Sequence, residues 1–141
     1  MPRLSMEKLP FILLVDDEPA DNYAHERLLY DLAVATEIRA VTGGAEAIEL
    51  LSRDPPLKPT LLLLDVNLPD LDGFEFVAAF QRLPAPQRGA THIVLLTGGM
   101  SSRDMARLNE LPVAGLVIKP LTREKVDNLL QLHFQRRLPQ A

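Results

Sequence analysis

There is no cysteine in this chain. Disulfide frameworks and thiolate metal centres are thereby excluded, and a cytoplasmic address is expected. Positive charge is also not in excess. Fifteen Lys and Arg stand against nineteen Asp and Glu, a net charge of -4, so the basic patch of a nucleic-acid-binding surface is not expected. No stretch approaches the roughly 20 apolar residues that span a bilayer. The first ten residues, MPRLSMEKLP, carry a few mixed charges and no apolar core of a signal peptide. Low-complexity segments and repeats with a period of roughly 20–50 residues are missing as well. What the chain does have is 47% hydrophobic residues over 141 positions, enough for one buried core. The expectation is one soluble domain at 11–138, with residues 1–10 as an N-terminal extension and 139–141 as a tail.

That apolar content is concentrated in short continuous runs. LLLL at 61–64 runs straight into Asp65, and FILLV at 11–15 ends at Asp16, Asp17 and Glu18. HIVLL at 92–96 ends at Thr97-Gly98-Gly99, and VAGLVI at 113–118 ends at Lys119-Pro120. Runs of this length bounded by turn signals suit strands buried on both faces. VATEIRAV at 34–41 alternates only partly and reads as a further strand. Between the strands fall helical patterns. A helix over 19–33 starts at Pro19 and presents Ala20, Ala24, Leu28 and Leu32 as an apolar stripe. Further helices are expected over 45–51, over 73–83, from a cap at Ser101 or Ser102 to 109, and from Thr122 to about 137. Asp54-Pro55-Pro56 with Pro59 predicts a connector, and Pro84-Ala85-Pro86 with Gly89 a loop. Strand–helix five times over predicts an α/β domain, a doubly wound five-stranded parallel sheet with helices on both faces.

In such a sheet the carboxyl ends of the strands share one edge, where ligands bind. Asp16, Asp17, Asp65, Thr97 and Lys119 would then converge in one cleft. Three carboxylates packed together repel one another unless a cation sits among them. Oxygen ligands without His or Cys favour Mg2+. Lys119 supplies a point charge suited to a phosphoryl oxygen, and Thr97 a hydroxyl donor. A carboxylate can itself attack phosphorus and become an aspartyl phosphate.

LLVDDEP (13–19), LLLLDVNLPDLDGFEF (61–76), LLTGG (95–99) and VIKPL (117–121) occur here in an order and spacing that resemble the receiver domain of two-component response regulators. The resemblance covers residues 11–137. It implies a flavodoxin-like (βα)5 fold with strand order 2-1-3-4-5. It implies Asp65 as phosphoacceptor, and Mg2+ held by Asp16, Asp17 and Asp65 with the backbone carbonyl of Asn67. Thr97 would contact the phosphoryl group and Lys119 would pair with it, next to a cis Lys119–Pro120 bond. Phosphoryl groups would come from a sensor histidine kinase or a phosphotransfer protein, with self-catalysed phosphorylation and slow loss. Only residues 120–141 follow Lys119, too few for an output domain, so a stand-alone chemotaxis-type receiver is expected. It would signal to a downstream protein, or form a homodimer, through the face of the fourth helix, last strand and last helix. Two departures stand out: Leu116 occupies the usual switch-aromatic position, and Thr97 is followed by the bare pair Gly98-Gly99.

Other residues receive plainer readings. His25-Glu26-Arg27 faintly resembles a phosphodonor histidine box but reads as a solvated helix face. Asp70 and Asp72 suit the turn and the following helix N-terminus. His92 and His133 have no partners at metal-ligand spacing. On the last helix Val126, Leu129, Leu130, His133 and Phe134 share a face that Leu132 misses. A phosphatase of the haloacid dehalogenase type would need Asp-x-Asp, and Asn67 at its second position cannot shuttle a proton. A pseudo-receiver that is never phosphorylated would not need all five site side chains.

Overall fold

A computed structural model describes residues 4–138 except 54, 56 and 100. Residues 1–3, the expected tail 139–141, and Asp54 and Pro56 of the expected connector lie outside the described residues. The strands are β1 (Leu9–Val15), β2 (Ala35–Val41), β3 (Leu61–Asp65), β4 (His92–Thr97) and β5 (Gly115–Ile118). All pair in parallel, in the order β2-β1-β3-β4-β5. The helices are α1 (Pro19–Asp31), α2 (Gly44–Leu51), α3 (Gly73–Gln81), α4 (Ala85–Arg88), α5 (Ser102–Leu108) and α6 (Arg123–Phe134).

Alternation along the strands divides the core in two. Leu13, Val15, Leu62, Leu64 and Leu95 face one side and pack with Ala47, Leu51, Phe76, Phe80 and Leu108 from α2, α3 and α5. Ile12, Leu14, Leu61, Leu63, Val94 and Leu96 face the other and pack with Leu29 of α1 and Val126, Leu129 and Leu130 of α6. Because side chains in a strand alternate in direction, a run apolar at every position is what two covered faces require.

Several elements depart from the sequence reading. The buried face of α1 runs through Asn22, His25 and Leu29; of the expected stripe, Leu28 and Leu32 are partly buried against the same core, whereas Ala20 and Ala24 are exposed. Asn22 and His25 are polar, so hydropathy alone misses their part of the face. Asn22 fastens α1 to the sheet, its amide donating to the Asp16 carbonyl at 2.8 Å and the Val41 carbonyl at 3.2 Å. His25, expected on a solvated face, is buried. The loop at 84–89 contains a helical turn, α4, because Pro86 suits its first turn, where a missing N–H costs nothing, and Gly89 turns out of it at φ 56. β1 begins at Leu9, which is fully buried and donates to the Val34 carbonyl at 2.8 Å. β5 is shorter than its apolar run, and α6 stops at Phe134, where Gln135 turns left-handed at φ 51. His92 and His133, which lack partners at metal-ligand spacing, pack as rings with centroids 6.2 Å apart, and His92 meets Phe134 edge-on at 4.7 Å. Among the described residues no helix is long and apolar enough to cross a membrane.

Candidate functional site

Strand register does the assembling. Val15 lies opposite Val41 and Leu64, Asp65 opposite Leu96, and Thr97 opposite Ile118. The sheet therefore ends almost level, and the next residue on each strand reaches the same edge. Asp16 and Asp17 leave β1, Asp65 closes β3, and Thr97 closes β4. The Lys119 N–H donates to the Thr97 carbonyl at 2.7 Å, which carries its side chain over the same edge. Its peptide bond to Pro120 is cis.

Asp16, Asp17 and Asp65 each offer a carboxylate oxygen within 4.8 Å of the other two. The Lys119 ammonium lies 2.7 Å from Asp16 Oδ2 and 3.5 Å from Asp65 Oδ2. Asp65 is 5% exposed, and its Oδ1 accepts the Asn67 N–H at 3.1 Å. Burial pushes the Asp65 carboxyl above the usual carboxylate range, although the Asn67 N–H and the Lys119 charge pull the other way. Burial opposes the Lys119 ammonium, yet hydrogen bonds to Asp16 and Asp21 and the charge of Asp65 outweigh it and raise its pKa. Thr97 is fully buried, its hydroxyl donating to the Gly99 carbonyl and accepting the Gly99 N–H, both at 3.1 Å. Gly99 sits at φ 145, a conformation that suits glycine, and a side chain there would meet nothing within 4 Å. Beside this edge Asn67, Phe74, Gly99 and Arg107 line a shallow cleft, with the Arg107 guanidinium 3.8 Å above the Phe74 ring.

The loop after Asp65 is pinned from two sides. Asp72 and Glu75 form a reciprocal capping box at the start of α3. Asp70, by contrast, serves α2: its carboxylate accepts the Gly44 and Ala45 N–H groups at 3.2 and 3.0 Å. Leu116 is half-buried against the core and pairs with Leu95, so the last strand offers an aliphatic side chain where an aromatic was the usual expectation.

Sequence reasoning missed two neighbours of the site. Asp21, in the first turn of α1, reaches Lys119 at 3.0 Å. Its one signal was an acid just after the acidic pair, which helix-dipole stabilisation explains equally well. Buried His25 also senses this centre. Burial and then the Lys119 charge lower its pKa, against Asp16 and Asp21.

Comparisons with known proteins agree with this fold. A family model described as response regulator receiver domain matches residues 12–131. A "Probable cyclic di-GMP phosphodiesterase" of Vibrio cholerae is 30% identical over 136 residues, covering 95% of this chain and 29% of that protein. The response regulator Rcp1 of Synechocystis sp. is 31% identical over 106 residues, covering 72% and 71%. The crystal structure of a two-component response regulator from Cytophaga hutchinsonii is similar at a TM-score of 0.77 and 28% identity, covering 89% of this chain and 96% of that one. The chain thus spans less than a third of the Vibrio protein's length.

Proposed function

The chain belongs to the response regulator receiver domain family, a module of two-component signalling, and on that premise we propose that Asp65 is its phosphoacceptor. The observation that carries this reading is a buried carboxylate at the end of a rigid central strand, with two further carboxylates and an ammonium gathered on it. In the transfer, an Asp65 oxygen forms the new O–P bond as the P–N bond of a donor phosphohistidine breaks, and the imidazole leaves. The donor is a sensor histidine kinase or a phosphotransfer protein, and residues 11–138 are the unit that receives the group in the cytoplasm. Lys119, 3.5 Å from Asp65, pairs with the incoming negative charge. Thr97 turns its hydroxyl from Gly99 to the phosphoryl group.

The donor set is all oxygen, compact and strongly negative, which fits a small hard divalent cation. Asp16, Asp17 and Asp65 with the Asn67 carbonyl would hold Mg2+, which when bound neutralises charge on the transferring group. The aspartyl phosphate is then lost only slowly, because Asn67 offers no acid–base group to drive turnover. Output runs through the face of α5, β5 and α6, where Ile118 and Leu132 are 51% and 76% exposed, to a downstream protein or a second copy of the chain.

Incubation with Mg2+ and acetyl phosphate, followed by intact-mass measurement, tests this. One phosphoryl adduct is expected, absent in Asp65→Asn and absent in chelator. An adduct that persists in Asp65→Asn would overturn the assignment.

A further inference from the structure

The Lys119 ammonium hydrogen-bonds two carboxylates, Asp16 at 2.7 Å and Asp21 at 3.0 Å, yet stands 3.5 Å from Asp65, beyond good hydrogen-bond distance. Asp16 is buried and belongs to the acidic trio, whereas Asp21 is half-exposed, arrives from the first turn of α1, and is 98 residues away in sequence. A helix-dipole role would not require that contact. We propose that Asp21 is a positioning residue of the site: it restrains Lys119 in the unphosphorylated protein and gives it up as negative charge builds on Asp65, so the Asp21–Lys119 pair slows phosphoryl acceptance. This inference rests on Asp65 being the phosphoacceptor.

The argument is one of competition. An ammonium has three N–H groups, and here two are committed to carboxylates other than the nucleophile. Stabilising the transferring group demands that Lys119 shift toward Asp65, so whatever holds it elsewhere adds to the barrier. Asp16 also holds it, but Asp16 is needed for the metal. Asp21 has no other partner among the hydrogen bonds and ion pairs of the described residues, so Lys119 is its one direct contact, beside a longer-range pull on His25. Neutralising Asp21 leaves an amide oxygen that still accepts a hydrogen bond, without the charge that retains the ammonium.

The test is the rate of adduct formation from phosphoramidate at saturating Mg2+, read by intact mass. Saturation removes any change in metal affinity from the comparison. Asp21→Asn is expected to accept phosphoryl groups roughly two- to five-fold faster than the wild type, the size of effect that a half-exposed ion pair supports. Bulk charge near the site would push in the same direction, so a double-mutant cycle separates the two. In a Lys119→Met background, Asp21→Asn is expected to change nothing. Equal rates for wild type and Asp21→Asn would overturn the inference while leaving Asp65 as phosphoacceptor. The same acceleration with and without Lys119 would also overturn it, as a charge effect that bypasses the lysine. No adduct in the wild type would overturn this inference and the proposed function together. Thermal melts of all four proteins confirm that each rate is measured on folded material.

Discussion

The residue proposed to receive the phosphoryl group should also be a burden on the fold. In Asp65→Asn the side chain keeps its size and its oxygen for the Asn67 N–H, and loses only its charge. Asp65 faces Asp16 and Asp17 within 4.8 Å. At an effective dielectric of ~20, each like-charge pair at that separation repels by about 3 kcal/mol. Lys119 at 3.5 Å returns about 5 kcal/mol of attraction on the same basis. The difference leaves ionised Asp65 unfavourable by about 1–2 kcal/mol. Asp65→Asn is therefore expected to stabilise the metal-free protein by that amount, a rise of about 3–7 °C in Tm for a chain of this size. Urea denaturation in chelator reads this directly, as a higher midpoint at unchanged slope. Mg2+ should close the gap, since a ligand at ten times its dissociation constant adds ~1.4 kcal/mol to the protein that binds it. The pH dependence follows from the raised Asp65 carboxyl. Between its unfolded and folded pKa values the native state holds a proton that the unfolded state has lost, so wild-type stability falls as pH rises through that window. The advantage of Asp65→Asn should accordingly open from about pH 4 upward and vanish below it. An Asn variant less stable than wild type in chelator, or an advantage that grows toward low pH, would refute this reasoning.

Two further outcomes test how the loop after Asp65 is held. Asp72→Ala removes one half of the capping box on α3 and should cost about 1 kcal/mol in urea denaturation; an unchanged midpoint would show that the cap does not pin this loop. Gly44→Ala would bring a Cβ to 2.8 Å from the Leu71 Cβ and 3.3 Å from Leu68 Cδ1. It should therefore destabilise by about 1–3 kcal/mol through overpacking, and a midpoint equal to wild type would show that the loop yields freely.

Most of the fold was legible in the sequence for one reason. Strands covered on both faces must be apolar at every position, and LLLL, FILLV and HIVLL carry that mark without ambiguity. The helices were less legible. Pattern reading located α1 and caught Leu28 and Leu32 at the rim of its core-facing side, but missed the centre of that face, because Asn22 and His25 point inward and hydropathy scores both as surface residues. Asn22 is tolerated there because two carbonyls at the strand ends accept its amide protons. The small turn α4 and the earlier start of β1 escaped notice because proline and short polar stretches are common to loops and element ends alike.

The candidate site divides the same way. Sequence order alone was enough to put Asp16, Asp17, Asp65, Thr97 and Lys119 at strand ends, since each follows an apolar run and parallel strands end on a shared edge. Only the tertiary structure decided how those groups divide the lysine among them. Asp21 lies on a helix and Lys119 at the far edge of the sheet, and nothing local relates residues 98 positions apart. Sheet register and the seating of α1 by Asn22 bring them to 3.0 Å, and with that contact the ammonium comes to rest on two carboxylates short of Asp65. Hydrophobic periodicity is a one-dimensional signal and survives in the chain; the balance of charges around one ammonium exists only once the strands are paired.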